Sequence, residues 1–146
     1  MTKFDFIDRA DAGQKMLATF KAEILEHDVI VVVLPAAFEI AFAFAAEMTL
    51  PMRDLNIIRT STTVSIPRLE GLSGLNVAVI DDGVESGSTA MAIGAMLRAA
   101  NVASATLIVP VCPKSAVPHL LAVYNTIHAV VSPLTPSSLT LHYEVS

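Results

Sequence analysis

Apolar residues at Met16, Leu17, Phe20, Ile24 and Leu25 recur at helical spacing and predict a first helix from about Asp8 to Leu25. Val29–Leu34 is a continuous apolar run rich in β-branched residues, the pattern of a central parallel strand, and Pro35 ends it. A helical pattern follows from about Phe38 to Met48, then a second strand at Leu55–Ile58. Thr60–Gly74 is rich in turn residues and hydroxyls, with a short stretch at Val64–Ile66 that can extend as a hairpin. Val77–Asp82 reads as a third strand with its helix at Gly87–Ala100, and Ala105–Cys112 as a fourth. A short helix around Ser115–Tyr124 and a fifth strand at Ile127–Ser132 complete the alternation, and Leu139–Val145 is expected as an edge strand. Strand and helix alternating in this way predict an α/β fold in three layers, a parallel sheet of about five strands flanked by helices. Ligands of such sheets bind outside the carboxyl ends of the strands.

Composition narrows the class. The chain has 146 residues, 53% of them apolar and 16% charged, which fits a single domain over 1–146 with one core. The net charge is −5 and the nine Lys and Arg residues are scattered, which argues against nucleic acid as a partner. The single cysteine, Cys112, has no internal partner, and with Asp5, Asp8 and Asp11 interrupting any leader-like apolar run a cytoplasmic setting is expected. Ile40–Ala46, bounded by Glu39 and Glu47, is too short to span a bilayer, so no membrane partner is expected either. So few charges leave apolar surface to cover, which points to a homo-oligomer.

The chemistry concentrates in Asn76–Thr89. Four apolar residues, Val77 to Ile80, run into two adjacent carboxylates, Asp81 and Asp82. Gly83-Val84-Glu85-Ser86-Gly87-Ser88-Thr89 then leads into a helix. A loop of this kind presents backbone N–H groups and hydroxyls toward one point, and the helix dipole adds positive potential there, so it is suited to phosphate. The acids beside it suit the hydroxyls of a sugar or serve as oxygen ligands for Mg²⁺. Phosphate and diol recognition side by side point to a ribose 5-phosphate group.

This stretch resembles the phosphoribosyl pyrophosphate (PRPP) motif of the type I phosphoribosyltransferases: a hydrophobic strand, two acids, two mostly aliphatic residues, a variable and often acidic one, then Thr/Ser-Gly-x-Thr. Gly83, where an aliphatic residue is commoner, is the one mild departure. The opening Asp8-Arg9-Ala10-Asp11-Ala12-Gly13 is similar to the D-R-x-x-A-G of a bacterial subgroup. Val29–Leu34 with Pro35, Ile57-Ile58-Arg59, Ile108–Pro113 and His142-Tyr143-Glu144 resemble its further strands and tail. The resemblance implies the phosphoribosyltransferase fold and displacement of pyrophosphate from C1 of PRPP by a nitrogenous base. It implies that Gly87–Thr89, with the hydroxyls of Ser86, Ser88 and Thr89, hold the 5-phosphate. Asp81 and Asp82 take the ribose hydroxyls directly or through Mg²⁺, Glu85 stands at the place of an acid that moves a proton at the base, and Arg59 meets the pyrophosphate.

The departures lie in the pyrophosphate half. Ala36, Ala37 and Phe38 stand where the resemblance calls for Gly and a cationic side chain, Arg59-Thr60 replaces Arg-Lys, and the segment from Arg59 to Leu75 is shorter than the loop that closes over the reacting centre. Two readings follow: a small phosphoribosyltransferase, and a non-catalytic module that binds PRPP or a nucleoside monophosphate. A phospho-acceptor receiver domain would place its acid pair on the first strand and a lysine after the last, and neither holds here. Phe38, Phe42 and Phe44 are expected in the core, and His119 and His128 stand apart from each other and from Cys112, without metal-ligand spacing.

Overall fold

A computed structural model describes residues 4–145. Asp8 caps the first helix, α1 (Arg9–Leu25), by accepting the Asp11 amide, and β1 (Val29–Leu34) follows. Next come α2 (Phe38–Glu47), β2 (Met52–Asn56), a small antiparallel hairpin of β3 (Ile58–Arg59) and β4 (Val64–Ser65), then β5 (Asn76–Ile80) and α3 (Ser88–Ala99). The chain finishes with β6 (Ser104–Val111), the single-turn α4 (Val117–Leu120) and β7 (Thr126–Val131).

Five strands form one parallel sheet in the order β2-β1-β5-β6-β7. Alternate residues of each strand point to opposite faces, which explains why the central runs are apolar throughout. Val29, Val31, Val33, Val77, Val79, Leu107 and Val109 meet Ile93, Leu97, Leu120 and Tyr124 on one face. Ile30, Val32, Ala78, Ile80 and Ile108 meet Met16, Leu17, Ile24, Ile40 and Phe44 of α1 and α2 on the other. The chain passes from β2 back across β1 to β5, so the order switches between β1 and β5, and a crevice opens above their carboxyl ends.

Three expectations change. The second strand lies earlier, at Met52–Asn56, and Ile58 belongs to the hairpin, because an edge strand buries only part of its length and carries a weak apolar signal. The tail is no edge strand: Leu139–His142 forms a 3₁₀ turn, and Tyr143 makes a lone parallel bridge to Phe6. Tyr143 is drawn there by an apolar pocket with Phe6, Ala12 and Val111. Of the three phenylalanines only Phe44 is in the core. Phe38 and Phe42 are exposed and stack edge to face at 5.0 Å, because α2 turns Ile40, Ala43 and Phe44 inward and a helix apolar all round does not announce its buried side. Among the described residues no helix is long and apolar enough to cross a membrane.

Close packing of α3 on the loop after α4 depends on Gly94, where a Cβ would come within 2.4 Å of Val123 Cγ2 and 2.8 Å of its Cβ. Gly94→Ala is therefore expected to destabilise the fold by about 1–3 kcal/mol, the cost of overpacking, despite alanine's better helix propensity. Urea denaturation monitored by circular dichroism measures it.

Candidate functional site

A cleft of about 380 Å³ lies at the switch point, lined by Ala36 after β1, Arg59 of β3, Asp81 to Ala90 after β5, Arg9 of α1, and Leu139 and Thr140 of the tail. The structure thus brings Asp81, Asp82, Glu85, Ser86, Gly87, Ser88, Thr89, Arg59 and Ala36 around one space. Ala37 does not join them. It is fully buried against α1 and β1, and its amide donates to Val33 O at 2.8 Å.

The loop is shaped for an anion. Gly87 at φ +93 turns the chain into α3, a conformation that strains any residue with a Cβ. Among the described residues the amides of Ser86, Gly87, Thr89 and Ala90 have no acceptor within the protein, and the first helical bond is Met91 N–H to Gly87 O. Ser86 Oγ and Ser88 Oγ lie 3.1 Å apart and Ser86 Oγ accepts the Ser88 amide, so the hydroxyls gather at the same turn. The α3 dipole adds to these donors.

The acids behave differently from each other. Both are buried. Asp81 Oδ1 accepts the Asp82 amide at 2.8 Å. Burial foremost, then the charge of Asp82, hold the Asp81 carboxyl well above the usual carboxylate range, against a weaker opposing pull from Arg59. Asp82 has a cation of its own: Arg9 Nε and Nη2 both donate to Asp82 Oδ2, at 3.0 and 2.9 Å. The guanidinium lies 4.5 Å from the centre of the Tyr143 ring, and Tyr143 Oη donates to the Asp82 carbonyl at 2.8 Å. In the sequence Arg9 and Tyr143 stand only as letters of stretches that resemble the family's opening and tail, and nothing there joins them to Asp82.

Glu85 also has a partner from the tail, its Oε1 accepting the Leu139 amide at 2.8 Å. Gly83, at φ +141, leaves room for Leu139, whose Cδ2 would lie 2.6 Å from any Cβ there. Cys112 stands apart, fully buried, with burial pushing its thiol up to about 11, which does not suit a nucleophile. Among the described residues no three or more His, Cys, Asp or Glu side chains gather as a metal cluster.

A parallel α/β sheet whose switch-point cleft joins an acid pair to a phosphate-type loop defines a class, the type I phosphoribosyltransferase fold. Solved structures agree. The Thermus thermophilus protein TT1426 superposes with a TM-score of 0.77 over 97% of this chain and 91% of its own, at 15% identity. The purine phosphoribosyltransferase of Pyrococcus horikoshii gives 0.61 over 85% and 83%, at 15% identity. A hypoxanthine phosphoribosyltransferase of Staphylococcus aureus gives 0.64 over 89% and 77%, at 14% identity. No family model and no curated protein matches the sequence. The chain therefore has the phosphoribosyltransferase fold.

The raised Asp81 has a consequence for stability. Below the ordinary carboxylate range Asp81 is protonated both folded and unfolded, so it costs nothing. As pH rises through that range the unfolded chain ionises first, and stability is lost up to the raised folded value. Asp81→Asn, which keeps an oxygen to accept the Asp82 amide, is expected to raise Tm at pH 7.5 by at least ~3 °C, what about 1 kcal/mol is worth in a chain of this size. Near pH 2.5, below the ordinary carboxylate range, it should leave Tm unchanged. Thermal melts at the two pH values check this.

Proposed function

We propose that this cleft binds PRPP or another ribose 5-phosphate group, and that with PRPP the protein transfers the phosphoribosyl group to a nitrogenous base with release of pyrophosphate. The observation that carries the reading is the shared cleft: loop amides without protein acceptors and a buried acid pair, close together in the chain, open on the same space at the β1/β5 switch point. In this reading the amides of Gly87–Thr89 and the hydroxyls of Ser86, Ser88 and Thr89 take the 5-phosphate. Asp81 and Asp82 accept from the ribose 2- and 3-hydroxyls and fix the sugar with C1 toward Ala36 and Arg59. The C1–O bond to pyrophosphate then breaks as the C1–N bond forms, the proton of the base nitrogen passes to the departing pyrophosphate or to water, and Arg59 meets the departing charge.

Mg²⁺ fits this site as a cation brought by the ligand. Arg9 occupies Asp82 Oδ2 and the Asp82 amide occupies Asp81 Oδ1, which leaves one oxygen of each acid without a protein partner among the described residues. Such a donor set suits an ion whose remaining ligands are substrate and water. Bound there, Mg²⁺ would neutralise charge on the ligand's oxygens.

A second reading, a binding module for a nucleoside monophosphate, is favoured by one specific feature. On the β1 side the Ala37 amide is spent on Val33 O and the Phe38 amide on Pro35 O, and Ala36 offers no side-chain donor, so Arg59 is the cation lining that side.

Calorimetric titration with PRPP, with and without Mg²⁺, and with nucleoside monophosphates separates the two. Mg²⁺-dependent PRPP binding supports transfer, and tighter monophosphate binding without Mg²⁺ supports the module. In either case Ser88→Ala with Thr89→Ala is expected to weaken ribose 5-phosphate binding by about 1–3 kcal/mol, the range for lost charge-assisted hydrogen bonds. Unchanged affinity in that double variant would place the phosphate elsewhere.

A further inference from the structure

Glu85 occupies the place where the family resemblance implies a proton-moving acid, yet its carboxylate is committed to the other end of the chain. Oε1 accepts the backbone N–H of Leu139 at 2.8 Å, a contact between residues 54 apart in sequence. The side chain of the same Leu139 packs on Gly83, two residues before Glu85. The acid loop thus grips one tail residue twice, by its amide and by its side chain. Beyond it the tail is pinned again. Tyr143 Oη donates to Asp82 O, and the amides of Glu144 and Val145 donate to Phe6 O and Ile7 O. Between these anchors Leu139 and Thr140 form one wall of the cleft.

We propose that Glu85 is a positioning residue, whose carboxylate ties the phosphate-holding loop to Leu139 and thereby sets the Leu139–Thr140 wall against which the phosphoribosyl ligand rests. The proposal rests on the phosphoribosyl reading of the cleft. Glu85 immediately precedes Ser86, so a loop that tightens around phosphate carries Glu85 with it, and the hydrogen bond from Leu139 N–H passes the movement to the tail. Glu85 then acts through Leu139, with no part in proton transfer. The glycine at position 83 belongs to the same contact, since a Cβ there would push the Leu139 side chain from its place.

The test uses the full chain and three variants. Glu85→Ala removes the acceptor, while Glu85→Gln keeps an Oε1 that accepts the Leu139 amide but carries no charge and no basicity. Leu139→Pro removes the N–H while leaving an apolar ring over Gly83. Proline is compatible there because Leu139 opens a 3₁₀ turn and Ser138 before it has φ −59 and ψ 135. In the ligand-free protein, hydrogen exchange across Leu139–Tyr143 is expected to quicken about 5- to 10-fold in Glu85→Ala and to stay within about 2-fold of the wild-type rate in Glu85→Gln. Ribose 5-phosphate affinity, measured by calorimetry, should fall about 5- to 10-fold in Glu85→Ala and in Leu139→Pro. The combined variant should fall no further, because both changes delete one bond, and Glu85→Gln should restore binding. Equal loss in Glu85→Gln and Glu85→Ala, with exchange unaltered in both, overturns the tether and returns Glu85 to direct action on the ligand. Failure of the wild-type chain to bind ribose 5-phosphate overturns the phosphoribosyl reading instead, and the exchange measurement then decides the tether by itself.

Discussion

Asp81 and Asp82 stand side by side at the end of β5, each only 7% exposed, an arrangement that desolvation and mutual repulsion both oppose. Arg9 makes it tenable. Its guanidinium meets Asp82 with two donors and rests against the Tyr143 ring, while Tyr143 in turn donates to the Asp82 backbone. Arg9 comes from the start of the first helix and Tyr143 from the end of the described chain. The ion pair therefore forms only when both ends fold onto the central strand. Removing Arg9 would leave two buried carboxylates with Arg59 as the remaining cation of the cleft, the situation in which breaking a buried pair costs most.

That clasp makes the cleft lopsided. On the β5 side the serine hydroxyls bond to each other, Arg9 holds Asp82 and Glu85 holds the tail, while most of the loop amides stay open to the cleft. On the β1 side the wall is one alanine and one exposed arginine, and the neighbouring amides are used within their own turn. In the phosphoribosyl reading proposed for the cleft, a ligand would be held firmly by its phosphate and sugar and loosely at whatever projects from C1. The short β3–β4 hairpin stands near that open side, and Arg59 is its contribution.

Two features, Gly83 and the tail, look odd by themselves. Gly83 looks like a weakened motif in isolation. Beside Leu139 it is the only residue type that leaves space for the tail. The tail looks like a spare strand in isolation, because its alternating apolar residues fit an edge, but the pocket formed by Phe6, Ala12 and Val111 takes Tyr143 and turns the segment over the cleft.

Much of the architecture could be read from the chain, because it depends on local periodicity. The apolar runs at Val29–Leu34 and Val77–Ile80 admit only strands buried on both faces, and the glycine- and serine-rich turn after two acids is the local signature of a phosphate loop. A parallel sheet, a site beyond the carboxyl ends of its strands and the company of Asp81, Asp82, Ser86, Gly87, Ser88 and Thr89 follow from those patterns, whereas the strand order is set by the tertiary structure. The edge strand β2 and the outward face of α2 did not follow, since burial at an edge is decided by what lies beyond it. Nor did the contacts that define the site's character. Arg9 to Asp82, Glu85 to Leu139 and Tyr143 to Asp82 join residues 73, 54 and 61 apart, and no periodicity connects positions so distant. The sequence by itself determined the scaffold and where the acid pair and the glycine- and serine-rich loop sit on it. Only the packing of the two ends against β5 decided which acid is neutralised, which is strained by burial, and what Glu85 holds.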